Sequence, residues 1–155
     1  MATLYGCDIP EDLYYHPKYN SWVRFETGAT AVLGMTDTAQ TQAGKLLFIH
    51  FKKVGRKIKA GKFAATIESG KWIGPFVVPF AAEILETNHA AFVEDRLIAN
   101  KDPYGAGWLV KVRLLNPEMA HDGLITGAEA VAFFKKLIAE EDIRCFRCLD
   151  DPVPM

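Results

Sequence analysis

The chain has 155 residues, of which 50% are hydrophobic and 24% charged, with a formal net charge of -1. This length suits one compact domain, and the apolar content excludes a disordered chain. No apolar run approaches the roughly 20 residues that a membrane helix needs, and the amino terminus lacks the basic start and apolar stretch of an export signal. Three cysteines in a chain of this size do not make a disulfide framework, so we expect a protein of the reducing cytoplasm.

The charge is unevenly distributed along the chain. Residues 45–62 contain seven basic side chains and no acidic one. A solvated basic face and a docking surface for an acidic protein partner both remain open. A nucleic-acid partner is not expected, because the chain has no recognisable nucleic-acid motif and its bases lie beside glycine-punctuated strands rather than on a recognition helix.

The first third of the chain predicts a leader, a hairpin and a short helix. Residues 1–19 show no clear periodicity and are assigned to an N-terminal leader. Residues 22–26 alternate apolar with polar side chains and, after Thr27-Gly28, are followed by the apolar residues 31–33, which indicates a hairpin. Residues 39–43 follow hydroxyl and carboxylate capping residues and precede Gly44, which predicts a short helix.

The middle of the chain predicts strands separated by glycine turns. Pro75 and Pro79 favour edges or bends over central pairing. The predicted strands cover residues 46–49, 63–68, 72–73 with 76–78, and 81–87.

The last third predicts a short helix at 92–99, a rigid turn at 102–107 and an alternating strand at 108–114. Thr126 and Glu129 have the spacing of a capping box before a helix at 130–139. Many short strands and glycine turns predict a small β barrel or sandwich with helices at its margins.

One segment between two apolar runs reads Glu68-Ser69-Gly70-Lys71-Trp72. A Ser-Gly dipeptide indicates a chain reversal. We therefore expect Lys71 at the tip of a β-hairpin, with its ammonium accessible. Taken alone, this pattern indicates only an exposed lysine in a turn.

Three blocks of sequence give this lysine a more specific interpretation. They are residues 35–40 (MTDTAQ), residues 68–71 (ESGK) and residues 100–109 (NKDPYGAGWL). In this order and spacing, the stretch from about residue 20 to residue 114 resembles the H protein of the glycine cleavage system, within the wider family of lipoyl carriers.

The resemblance implies a mainly β fold, the flattened β barrel-sandwich hybrid of lipoyl and biotinyl carriers, with short flanking helices and a C-terminal helix. It implies a carrier domain at residues 20–117, followed by a C-terminal helix and tail at 118–155. It also implies lipoate joined by an amide to Lys71, in a hairpin flanked by Glu68, Ser69, Gly70 and Trp72. Biotin carriers place methionines beside their lysine, and Gly70 and Trp72 stand there instead.

On this interpretation the chain is a non-catalytic carrier, with no catalytic residue and no metal site, loaded by a lipoate ligase or lipoyl transferase. It departs from familiar H proteins in its basic 45–62 segment, in Gly70 and Trp72, and in its extended tail. These departures favour a second branch that it also resembles, the H-protein-like lipoate-binding proteins of heterodisulfide-reductase-like sulfur oxidation. There the carrier would shuttle covalently bound sulfur intermediates to the heterodisulfide-reductase-like complex.

Two alternatives remain. In the first, the chain is an H protein that carries the aminomethyl group, with glycine decarboxylase, aminomethyltransferase and dihydrolipoamide dehydrogenase as partners. In the second, it is an unlipoylated adaptor that binds through its basic segment.

The sequence leaves the roles of two further features open. Cys145 and Cys148 have redox spacing and are either auxiliary redox thiols that exchange with the arm or incidental tail thiols. Trp72 is placed to shield the arm or to touch a partner.

Overall fold

The computed structural model describes residues 1–147, so Cys148 lies outside the described residues. Within them the chain forms twelve β-strands and four α-helices. The strands are β1 (Ala2–Leu4), β2 (Cys7–Ile9), β3 (Tyr14–His16), β4 (Ser21–Glu26), β5 (Thr30–Met35), β6 (Leu46–Phe51), β7 (Lys57–Ile58), β8 (Lys62–Ser69), β9 (Ile73–Val78), β10 (Ala82–Thr87), β11 (Val110–Leu114) and β12 (Ile125–Thr126). The helices are α1 (Asp37–Ala43), α2 (His89–Glu94), α3 (Ile98–Lys101) and α4 (Gly127–Glu141).

The strands form three antiparallel sheets. A seven-stranded sheet has the order β12-β3-β4-β5-β11-β10-β7, a three-stranded sheet has the order β6-β8-β9, and β1 pairs with β2. One apolar core joins the two larger sheets, with Leu33 and Val112 from the first and Ile67 and Phe76 from the second. The mainly β prediction is confirmed, although the described strands do not close into a barrel.

A second core lies between α4 and the N-terminal strands. Ala130, Phe134 and Ile138 recur at every fourth residue of α4 and are buried against Tyr15 and Trp22. Residues 1–19, which show no clear periodicity in sequence, contain β1, β2 and β3, and β3 pairs with β4. Strands of three residues are too short to show a period of two in sequence.

Two predictions about helices need correction. The helix predicted at 92–99 is two short helices, because Asp95 leaves the helical conformation and its carboxylate accepts a hydrogen bond from Leu97 N at 3.0 Å. The capping box does not form, since the Thr126 hydroxyl donates to Leu13 O at 2.6 Å. Within residues 1–147, no helix has both the length and the apolar character to span a membrane.

Candidate functional site

The predicted hairpin forms between β8 and β9, and Lys71 lies at its tip. Glu68 faces Ile73 as the last pair of the ladder. Ser69 N donates to Trp72 O at 2.7 Å, which closes a four-residue turn. The buried Ser69 hydroxyl also accepts from Lys71 N at 3.3 Å. The turn is therefore anchored at Ser69, while Gly70 and Lys71 project into solvent.

The Lys71 ammonium is exposed and makes no ion pair or hydrogen bond with any residue in 1–147. Its aliphatic stem lies over Gly44, the residue that ends α1. A Cβ added to Gly44 would stand 3.0 Å from Lys71 Cε, and Gly44 has a φ of 80°. The absence of a side chain at this left-handed position thus leaves room for the stem. The amine is accessible to an acylating enzyme.

A cavity of about 250 Å³ lies between the hairpin and α1. Its lining is mainly apolar and comes from α1, β5, β8, β9, the turn before β4 and the hairpin turn. The residues are Tyr19, Asn20, Met35, Ala39, Gln42, Ala43, Ile67, Trp72, Pro75 and Phe76.

Trp72 forms one wall of this cavity and is 43% exposed. Its indole packs so closely on Gly74 that a Cβ there would stand 2.3 Å from Trp72 Cζ2. Gly74 therefore allows the indole to fold back along the hairpin. The indole therefore lies beside the turn that carries Lys71, with part of its ring exposed.

At the other end of α1, a buried polar network fixes the helix. Thr36 Oγ1 accepts from Ala39 N at 3.1 Å and caps the helix. Asp37 is fully buried, and its carboxylate accepts from Asp8 N at 2.8 Å, from Gln40 Nε2 at 2.8 Å and from Arg147 at 3.1 Å. A buried carboxylate with this many donors holds the β1–β2 hairpin, α1 and the tail together.

The third sequence block closes the same network. The Tyr104 hydroxyl accepts from Asp37 N at 2.9 Å and donates to Asp8 O at 2.7 Å, and burial raises its pKa. Asn100 Nδ2 donates to Gly44 O at 2.8 Å, and its Oδ1 accepts from Leu46 N at 3.0 Å. The blocks at 35–40 and 100–109 therefore meet at α1, a convergence that their spacing alone did not reveal.

Cys145 is joined to Cys7 by a disulfide. Cys145 therefore has no free thiol, which corrects its prediction as an auxiliary redox thiol that pairs with Cys148; Cys148 lies outside the described residues. The two joined cysteines are 138 residues apart, so no local spacing could indicate their pairing. The site residues that sequence reasoning missed are thus Cys7, Asp8 and Arg147, which meet only in the fold.

The basic segment 45–62 is largely solvent-facing. Its exposed bases Lys53, Arg56, Lys57, Lys59 and Lys62 make no ion pair within residues 1–147. Lys52 Nζ instead lies 3.9 Å from the centre of the Phe63 ring.

Comparisons with known proteins agree with this architecture. Residues 13–137 match the family described as glycine cleavage H-protein. A protein of Saccharolobus solfataricus named "Probable glycine cleavage system H protein 2" is 45% identical, with 95% of this chain and 99% of that protein covered. "Glycine cleavage system H protein 3" of Aquifex aeolicus is 46% identical, with 93% of this chain and 91% of that protein covered.

A solved structure is similar over most of the chain. The crystal structure of a glycine cleavage system H protein from Mycobacterium marinum superposes with a TM-score of 0.68 at 29% identity. The match covers 87% of this chain and all of that one.

Proposed function

Because the chain belongs to the glycine cleavage H-protein family, we propose that it is a non-catalytic carrier of the glycine cleavage system, with lipoate amide-linked to Lys71. The observation that carries the proposal is the Lys71 amine, which is exposed at a closed hairpin tip and has no ion-pair partner within residues 1–147. An amine buried or held in an ion pair could not be acylated and then move freely.

The residues around Lys71 fit a lipoyl group. Gly70 has open space around its Cα, since a Cβ there would meet no atom within 4 Å, so an acylating enzyme can approach the turn closely. Gly44 leaves room for the lysine stem, and Trp72 with the cavity floor can shelter an apolar arm from water. When bound, lipoate supplies a dithiolane ring whose disulfide a partner's nucleophile can open.

The names of the similar proteins decide which multi-protein system we propose for this carrier. Sequence reasoning favoured sulfur oxidation because of the altered surface around the arm, but the named relatives are glycine cleavage H proteins and none supports a heterodisulfide-reductase-like partner. The partners we propose are therefore a lipoate ligase or lipoyl transferase, glycine decarboxylase, aminomethyltransferase and dihydrolipoamide dehydrogenase.

Loading at Lys71 can be tested by intact-mass spectrometry after incubation with lipoate ligase, ATP and lipoate. Wild type and the control variant Lys59→Arg, which changes another exposed lysine, should gain the mass of one lipoyl group. Lys71→Ala should gain none, while its thermal unfolding stays that of wild type. An unmodified wild type, or a Lys71→Ala variant that is modified, contradicts the proposal.

The system can be tested with the loaded protein. Glycine decarboxylase should release carbon dioxide from glycine when wild type is the acceptor, and should not do so with Lys71→Ala. Loaded wild type that supports no glycine decarboxylation, yet accepts sulfur from a thiosulfate-derived donor on the arm, would instead support the sulfur oxidation role.

A further inference from the structure

An apolar groove lies beside the hairpin, between the edge strand β6 and helix α2. The strand bulges at Leu47, so Leu47 and Phe48 both point outward, 39% and 61% exposed. Val93 of α2, 71% exposed, stands on the other side of a cavity of about 430 Å³. Three neighbouring exposed apolar side chains around a concavity are unusual for a surface that faces only water.

The groove continues along β6 toward the basic segment. A second cavity of about 400 Å³ shares Ile49 and His89 with the first and ends at Lys52, Lys53 and Val54. Together the two cavities form one depression, which we call the β6 groove, from Leu47 to Val54.

Positive charge lines both ends of the β6 groove. Arg96 lies at the apolar end and Lys53 at the other, and neither makes an ion pair with any residue in 1–147. Arg56 and Lys57 continue the positive surface beyond Lys53. The acids near the groove are Glu94, next to Val93, Glu68, which lies 4.0 Å from His50 Nε2, and Asp95. Asp95 is next to Arg96 and interacts with it electrostatically, but its carboxylate forms its close ion pair with Lys101, at 2.8 Å. The excess of basic groups creates a field that attracts an acidic surface.

The β6 groove is also next to the modified lysine. Leu46 pairs with Ser69 and Phe48 with Glu68, so its apolar end begins beside the turn that carries Lys71. A protein bound there would hold its own surface within reach of an arm on Lys71. Tethering by such a contact raises the effective concentration of the arm at a partner's active site.

We propose that the β6 groove is the docking site for an acidic segment of glycine decarboxylase that carries one large apolar side chain, seated between Phe48 and Val93. The acidic residues pair with Arg96 and Lys53, which selects the partner and speeds encounter, and the apolar anchor supplies the buried contact. This inference rests on the proposed function, since it names the surface through which the same carrier is recognised.

The experiment measures KM and kcat of glycine decarboxylase for the fully lipoylated chain. Lys53→Glu/Arg96→Glu should raise KM about tenfold and leave kcat unchanged, because docking and not chemistry is weakened. The matched control Lys135→Glu/Lys136→Glu makes the same change in net charge on exposed positions of α4 and should leave KM as in wild type. Added salt should raise the KM of wild type and control more than that of the groove variant.

The apolar contact is tested in the same assay. Phe48→Ser should raise KM several-fold, about threefold to tenfold, and the control Met119→Ser, also an exposed apolar residue, should leave it unchanged. Equal KM values for groove and control variants overturn the docking site while leaving lipoylation of Lys71 intact. Absence of lipoylation at Lys71 overturns the proposed function itself. Binding of a short DNA duplex that is lost in Lys53→Glu/Arg96→Glu, with KM unchanged, would assign the groove to nucleic acid instead.

Discussion

The two ends of helix α1 have opposite surroundings. At its first residue, Asp37 is fully buried and receives hydrogen bonds from the N-terminal hairpin, from Gln40 and from Arg147 of the tail. At its other end, Gly44 lies against the aliphatic stem of Lys71, and its carbonyl accepts a hydrogen bond from the buried amide of Asn100. One end of the helix is thus fixed by a buried network, whereas the other end lies beside the exposed lysine of the hairpin, an arrangement that suits a carrier.

The largest effect on stability is expected from removing the Cys7–Cys145 disulfide, which belongs to the fixed end of this comparison. Cys7→Ser/Cys145→Ser should lower the free energy of unfolding by about 4 kcal/mol, because the crosslink closes a very long loop in the unfolded chain. Urea denaturation measures this difference, with Cys148→Ser as a control that keeps the disulfide. Equal stability of the double variant and wild type would show that the disulfide contributes little to the stability of the fold.

The second-largest loss of stability is expected when the buried charge of Asp37 is removed. Asp37→Asn keeps the shape of the side chain but removes the buried charge that faces Arg147, which then pairs with Asp8 alone. We expect a loss of about 3 kcal/mol. The control Asp12→Asn changes an exposed carboxylate and should alter stability by less than about 0.5 kcal/mol. A small effect at Asp37 in the same urea experiment would mean that solvent replaces the network without cost.

The end of α1 beside Lys71 can be examined with two glycines that both have a positive φ. Gly44→Ala and Gly55→Ala both place a Cβ at positive φ and should each cost about 1 kcal/mol. The Cβ at position 44 meets the Lys71 stem, whereas the one at position 55 meets no atom within 4 Å. Only Gly44→Ala should therefore slow lipoylation, measured as the initial rate of mass gain. Equal slowing in both variants would mean that the contact between Gly44 and Lys71 has no role.

The smallest expected effect is a pH dependence of stability at His16, whose ring stacks on Tyr19, one of the residues that line the cavity. Burial, aided by Lys18, lowers the pKa of His16, whose Nδ1 accepts hydrogen bonds from Lys18 N and Tyr19 N at 3.2 and 3.3 Å. Because the folded state holds the neutral ring, this stability is complete above the unfolded pKa of about 6.5 and is lost as pH falls through the folded pKa. His16→Gln should reduce the loss of stability between pH 7 and about pH 5 in thermal melts. If wild type and His16→Gln lose the same stability over this pH range, His16 has no such role.

Local patterns were sufficient for the parts of the site that depend on neighbours in sequence. The Ser69-Gly70 dipeptide correctly predicted the hairpin tip, and Gly44 correctly predicted the end of α1, because turns and helix ends are determined within a few residues. The six-residue and eight-residue strands β4 and β8 were also visible from their apolar patterns.

The remainder depends on contacts between distant segments. Asp37 and Arg147 are 110 residues apart, and the partner of Cys145 lies in a three-residue strand that shows no periodicity. The local spacing of residues in the sequence does not indicate which distant residues contact each other in the fold. The preference for sulfur oxidation failed to gain support for a related reason: surface charge describes a kind of partner and does not name one.

The Cys7–Cys145 bond has a topological consequence. It turns nearly the whole polypeptide into a covalent circle, from the start of β2 to beyond the end of α4. A protease that nicks one exposed loop, such as the one at Gly55, leaves a single species on a gel until a thiol is added. The chain could therefore be cut at such a loop while the disulfide keeps the original N-terminal and C-terminal segments linked.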